Sequence, residues 1–101
     1  MQTSSVVKFA VFIRAARNAL NMSQSKVATL AKCSRPTINR IESLDKESSP
    51  KLETIERVLQ VFSEQGIEFQ FAGNEVTIKF NEKALLQAER NITAKLPGLL
   101  D

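Results

Sequence analysis

Residues 23–42, SQSKVATLAKCSRPTINRIE, decide the fold. They read as two short helices with a tight break between them. The first half places Val27, Ala28 and Ala31 on one apolar face, and the second places Ile38 and Ile41 three apart on another. Ser34 suits the N-cap of a helix opening Arg35-Pro36, because proline's missing N–H is unpaired in a first turn anyway. The face of that second helix that cannot be buried carries Arg35, Pro36, Asn39 and Arg40. Arg and Asn make bidentate contacts to guanine and adenine edges in the major groove. Two helices offering such a face imply a DNA reader.

Outward from this stretch, 101 residues make one domain, or one domain with a small appendage. An apolar fraction of 43% supports a core, though a chain this short is only modestly stable alone and gains from dimerisation. No apolar run is long enough to span a membrane. The N-terminal run VVKFAVFI lacks a basic leader and a cleavage site, so no signal peptide is read. The single cysteine, Cys33, excludes an internal disulfide framework and fits a reducing cytoplasm. Charge is uneven. Residues 1–43 carry seven Lys and Arg against one acid, Glu42, whereas residues 44–101 carry seven against ten. A basic half beside an acidic half fits one surface that meets phosphate and another that turns away.

Upstream, residues 5–21 have the first helix, capped by Thr3, Ser4 or Ser5. Phe9, Ile13, Ala16 and Leu20 form its inward stripe. Phe12 and Val6 widen the apolar surface, so this helix is either covered on two sides or lends its N-terminal half to a partner. Ser23 caps the second helix over residues 24–31, Lys32 occupies the turn, and residues 34–43 are the third. The polar segment 44–49 reads as a loop. Pro50 opens the fourth helix with Ser49 as cap, and Leu52, Ile55, Val58, Leu59 and Phe62 point inward until Gly66 stops it.

The period then changes. Residues 67–71 and 76–80 alternate strictly, with a two-residue loop at Gly73-Asn74, where both residues tolerate positive φ. This register pairs Phe71 with Val76, Phe69 with Ile78 and Ile67 with Phe80 on one face. On the other it pairs Glu68 with Lys79 and Gln70 with Thr77. A lone hairpin is marginal in water, so its apolar face must cover the helices or a second subunit. Asn81 caps a last helix, residues 82–96, with the narrow stripe Leu85, Ala88 (or Glu89), Ile92 and Leu96. Pro97-Gly98 stops it, and the tail 99–101 has no visible structural need.

The elements Ser23-Gln24, Val27-Ala28, Ser34-x-x-Thr37-Ile38 and Arg40-Ile41-Glu42 resemble the Cro and phage-repressor, or XRE-type, helix-turn-helix. The likeness covers residues 9–62. It implies a mainly α fold: a four- to five-helix lambda-repressor-like DNA-binding domain, residues 1–66, followed by a β-hairpin and a C-terminal helix, residues 67–101, as a dimerisation appendage. It further implies that Gln24 touches a phosphate and braces the recognition helix, and that Ser34 is a phosphate-contacting cap. Arg35, Pro36, Asn39 and Arg40 would then face bases, Thr37 would sit near the backbone, and Lys46 and Lys51 would run along the phosphates. In many relatives the positions of Arg17 and Glu42 form an ion pair. Three residues depart from the pattern. Lys32 stands where the family has a turn glycine and costs about 1 kcal/mol if the turn stays left-handed. Cys33 replaces a common valine and reads as a small buried hydrophobe rather than a redox sensor. Pro36 at a base-facing site removes a donor.

The implied function is a sequence-specific, dimeric, often autoregulatory repressor binding an inverted-repeat operator in double-stranded DNA. The protein would be cytoplasmic, bacterial or phage-encoded, and on the nucleoid when bound. The layout of a small helical domain followed by a strand also resembles the antitoxins of HipA-type kinase modules, which bind both operator and toxin. An enzyme is a poor fit, with no His, no metal-ligand cluster, no phosphate loop and no activated nucleophile. No cofactor and no membrane partner is implied.

Overall fold

The computed structural model describes residues 5–45 and 50–95 of the chain. In order come α1 (Ser5–Ala19), α2 (Gln24–Ala31), α3 (Arg35–Ser43), α4 (Leu52–Glu64), β1 (Ile67–Ala72), β2 (Glu75–Phe80) and α5 (Glu82–Lys95). Thr3, Ser4, Lys46, Ser49 and the tail from Leu96 lie outside the described residues. No helix among the described residues is long and apolar enough to cross a membrane.

The helices form where periodicity and caps agree. Ser23 accepts a hydrogen bond from the Lys26 N–H at 3.0 Å, and Ser34 accepts one from Thr37 at 3.2 Å. Each supplies a partner for an orphan first-turn donor, worth about 1 kcal/mol. Three helices stop by the same device. Asn21, Lys32 and Leu44 all adopt left-handed φ of 54–58°. The N–H one residue further on then reaches back to Arg17, Ala28 and Arg40 respectively, at 2.9–3.1 Å. This is the Schellman closure that usually has glycine at its left-handed position. Lys32 therefore keeps the family's turn at a steric cost of about 1 kcal/mol, and Leu44 carries a similar one.

One core ties the chain together. Phe12, Ile13, Leu20, Val27, Ile38, Val58, Phe62 and Ile67 are almost completely buried. Burying each such side chain contributes about 1.5–3 kcal/mol relative to exposure. The hairpin adopts the register read from its alternation, from Ile67 opposite Phe80 to Ala72 opposite Glu75. Only Gly73 of its loop takes positive φ, at 58°. The hairpin covers its own helices: Phe12 meets Phe62, Phe69 and Phe71 with ring centroids 4.7–5.7 Å apart, and Phe9 meets Phe71 at 5.2 Å. Helix α1 is thus covered on two sides, and Phe12 has no surface left to offer a partner.

Two stripes differ from the sequence reading. Helix α4 begins at Leu52 after an extended Lys51 that makes no side-chain cap. Leu52 thus stands at the helix's leading edge, ahead of buried Thr54 and Ile55, and is 69% exposed. Helix α5 turns Leu85, Leu86 and Ile92 outward, 60%, 52% and 40% exposed, and buries Ala84 instead. The reason lies at Gly66. Its carbonyl accepts the Asn81 N–H at 3.1 Å, and the Asn81 side chain caps α5 by accepting from Ala84 N. A Cβ on Gly66 would lie 2.6 Å from the Ala84 backbone nitrogen. So close a tether seats α5 on its small-residue side. At the far end, Asn91 donates to the Leu20 carbonyl at 2.8 Å.

Candidate nucleic-acid interface

Helix α3 buries Ile38, Ile41 and Glu42 and leaves Ser34, Arg35, Pro36, Asn39 and Arg40 exposed. Pro36 sits in the first turn, where it removes no helical hydrogen bond. Thr37 is half-buried; its N–H and hydroxyl both meet the Ser34 hydroxyl, the latter at 2.8 Å. The helix therefore presents two guanidinium groups and one amide on a single outward face, with a cap hydroxyl at its leading end.

What holds this helix is charged. Arg17 of α1 grips Glu42 through two bonds of 2.8 Å, Nε to Oε2 and Nη2 to Oε1. Its third donor reaches the Met22 carbonyl at 3.1 Å, across the corner between α1 and α2. Both side chains are largely covered, with 17% and 6% of their area exposed. The hydrogen bonds to Glu42 push the Arg17 pKa above its ordinary value, against the opposing effect of burial. In such a paired geometry the fork-to-fork contact fixes orientation as well as charge. Gln24, in the first turn of α2, completes the network. Its Nε2 donates to Glu42 Oε1 at 3.3 Å and more weakly to Asn39 Oδ1 at 3.5 Å. One exposed residue of the outward face is thereby linked to the buried pair, while Arg35 and Arg40 project beyond it.

Lys51 is exposed at the start of α4. Lys46, expected beside it along the phosphates, lies outside the described residues. Cys33 is half-buried against the core, and burial pushes its thiol pKa up, partly offset by Arg57. The side chain packs against the core as a small hydrophobe, but it is half-buried rather than buried as expected.

Arg57 is a residue the sequence reading passed over. Its Nε donates to the Ala31 carbonyl at 2.9 Å and its Nη1 to Glu53 at 2.9 Å. It satisfies a last-turn acceptor of α2 from α4, so the helix preceding the turn is fastened at both ends. The four-residue spacing of Glu53 and Arg57 was visible in the sequence. The carbonyl partner was not, because it depends on how α2 and α4 pack.

Comparison with known families adds one finding. A helix-turn-helix family model matches residues 13–65, just over half of the chain, from the middle of α1 to the end of α4. The hairpin and α5 lie outside the match. No curated protein and no solved structure matches the chain.

Proposed function

We propose, for a chain that belongs to the XRE-type helix-turn-helix family of DNA-binding transcription regulators, that it is a dimeric repressor of an inverted-repeat operator. In this reading α3 lies in the major groove. Arg35, Pro36, Asn39 and Arg40 meet base edges, with Pro36 against apolar surface such as a thymine methyl. Gln24, Ser34, Lys46 and Lys51 contact phosphate, and Thr37 lies near the backbone. Residues 1–66 do the reading and residues 67–101 set the dimer. A two-fold axis places the second α3 about 34 Å away, one helical turn along the duplex. A dimer seated at a promoter excludes polymerase. The protein acts in the cytoplasm, on the nucleoid.

The observation that carries this reading is the outward face of α3, braced by the Arg17–Glu42–Gln24 network. A side chain placed to discriminate bases needs a scaffold that does not move under it. Selection of bound sequences from random DNA tests it. The expected product is a symmetric pair of half-sites with centres about 10 base pairs apart. A pool with no enriched motif would remove sequence-specific reading.

A second role, as an antitoxin, is favoured by the apolar residues Leu85, Leu86 and Ile92 left exposed on α5. These residues lie outside the helix-turn-helix and would suit a protein partner. A kinase-like reading frame adjacent to this one, whose product co-purifies with the chain, would support it.

A further inference from the structure

The hairpin has a backbone edge that its own chain leaves open. Ala72 and Glu75 close a two-residue loop, so they form a hydrogen-bonded pair, and the pairs then alternate along the ladder. The Asn81 N–H bond to the Gly66 carbonyl continues that alternation past the strand ends. Glu75, Thr77 and Lys79 therefore turn their N–H and C=O groups toward β1, and Val76 and Ile78 turn theirs away. No hydrogen bond among the described residues reaches those outward groups, and the sheet stops at two strands. A bare strand edge of this kind is a template for another strand.

A second copy of β2 fits this edge in one register. Antiparallel pairing of like edges must set outward groups against outward groups. Of the registers this permits, the two that overlap most of the strand put the two-fold axis at Thr77 or at Ile78. About Thr77, Val76 faces Ile78 of the second copy, Thr77 faces its own mate, and Glu75 faces Lys79. The apolar pairs share one face, and each charged pair is of opposite sign. About Ile78, Thr77 faces Lys79 and no charges pair. The β1 edge offers nothing comparable, since Glu68 is its one charged residue and no base answers it. We propose that the dimer forms by β2 pairing with β2 about Thr77, giving a continuous four-stranded antiparallel sheet. This rests on the dimeric reading above. It keeps the apolar faces of both hairpins, and so both helical domains, on the same side of that sheet.

Cross-linking tests the register. Thr77 is exposed and would form a non-hydrogen-bonded pair with its mate, with Cα atoms about 4.5 Å apart. That is within disulfide reach. In a Cys33→Ala background, Thr77→Cys should oxidise to a covalent dimer. Gln70→Cys, on the same exposed face but across the strand in β1, should stay monomeric on a non-reducing gel. Glu75→Lys, whose partner within the chain is only Ala72, should raise the dimer Kd about tenfold in sedimentation. A chain that sediments as a dimer yet gives no Thr77→Cys cross-link, or cross-links equally through Gln70→Cys, overturns the strand pairing while leaving the dimer. A chain that is monomeric at every concentration overturns the dimeric reading and this pairing with it.

Discussion

Helix α3 buries Ile38 and Ile41 and exposes its arginines; helix α5 buries Ala84 and exposes Leu85, Leu86 and Ile92. Both are short and amphipathic, and periodicity alone would orient each with its large apolar residues inward. For α3 that rule holds because α1 and α2 enclose it, and because Glu42 supplies a buried anchor for Arg17. For α5 the orientation is set by its attachment. The helix starts one residue after Asn81, whose backbone and side chain are fastened beside Gly66, where even a Cβ on the glycine would meet the α5 backbone. The difference teaches that an apolar stripe names the inward face only where neighbouring elements are free to close over it.

The largest effect is expected where α1 is wedged between α4 and the hairpin that carries α5. Phe12 is fully buried between α4 and the hairpin. Phe12→Ala should cost about 3–5 kcal/mol in chemical denaturation. Against a typical domain stability of about 5–15 kcal/mol, that leaves the fold marginal. A loss confined to the hairpin, with α1–α4 unfolding unchanged, would show that the helical domain and the hairpin are separately stable. Next in size is Glu42→Ala. It strands a largely buried guanidinium and should cost about 3 kcal/mol in the same measurement. It should also loosen α3 specifically, read as faster amide exchange there than in α5. The smallest change should be a gain. Lys32→Gly relieves the left-handed turn between α2 and α3 and should stabilise by up to about 1 kcal/mol. A destabilisation there would mean that the lysine makes a compensating contact.

Much of this was legible before the structure. The caps at Ser23, Ser34 and Asn81 and the five hairpin pairs read from the alternation follow from local patterns that tertiary packing did not override, whereas the Arg17–Glu42 pair came only from the family resemblance. The helix starting at Leu52 rather than Pro50 was not legible, because Pro50 fits the residues ahead of a helix as well as its first turn. Nor was the docking of α5: of its inward residues only Ala88 was in the stripe read from the sequence, and Ala84 and Asn91 were not. Small and amide side chains leave no hydropathy signal, and their spacing gains meaning only beside Gly66. At the candidate interface, the residue types and exposed face were readable from α3 alone. That Gln24 braces α3 was given only by the family resemblance, and the Arg57 clasp on α2 was not legible, since it joins helices whose relative placement the sequence does not state.

The central claim is that α3 reads bases while Lys51 only meets phosphate. Measuring affinity of the Arg40→Ala and Lys51→Ala variants for selected and scrambled DNA over a range of salt tests it most directly. Arg40→Ala should lose about 1–3 kcal/mol on the selected site and relax preference at one base pair. Lys51→Ala should weaken binding to both DNAs alike and lower the salt slope by about one. An Arg40→Ala variant with the affinity and sequence preference of the parent would contradict it.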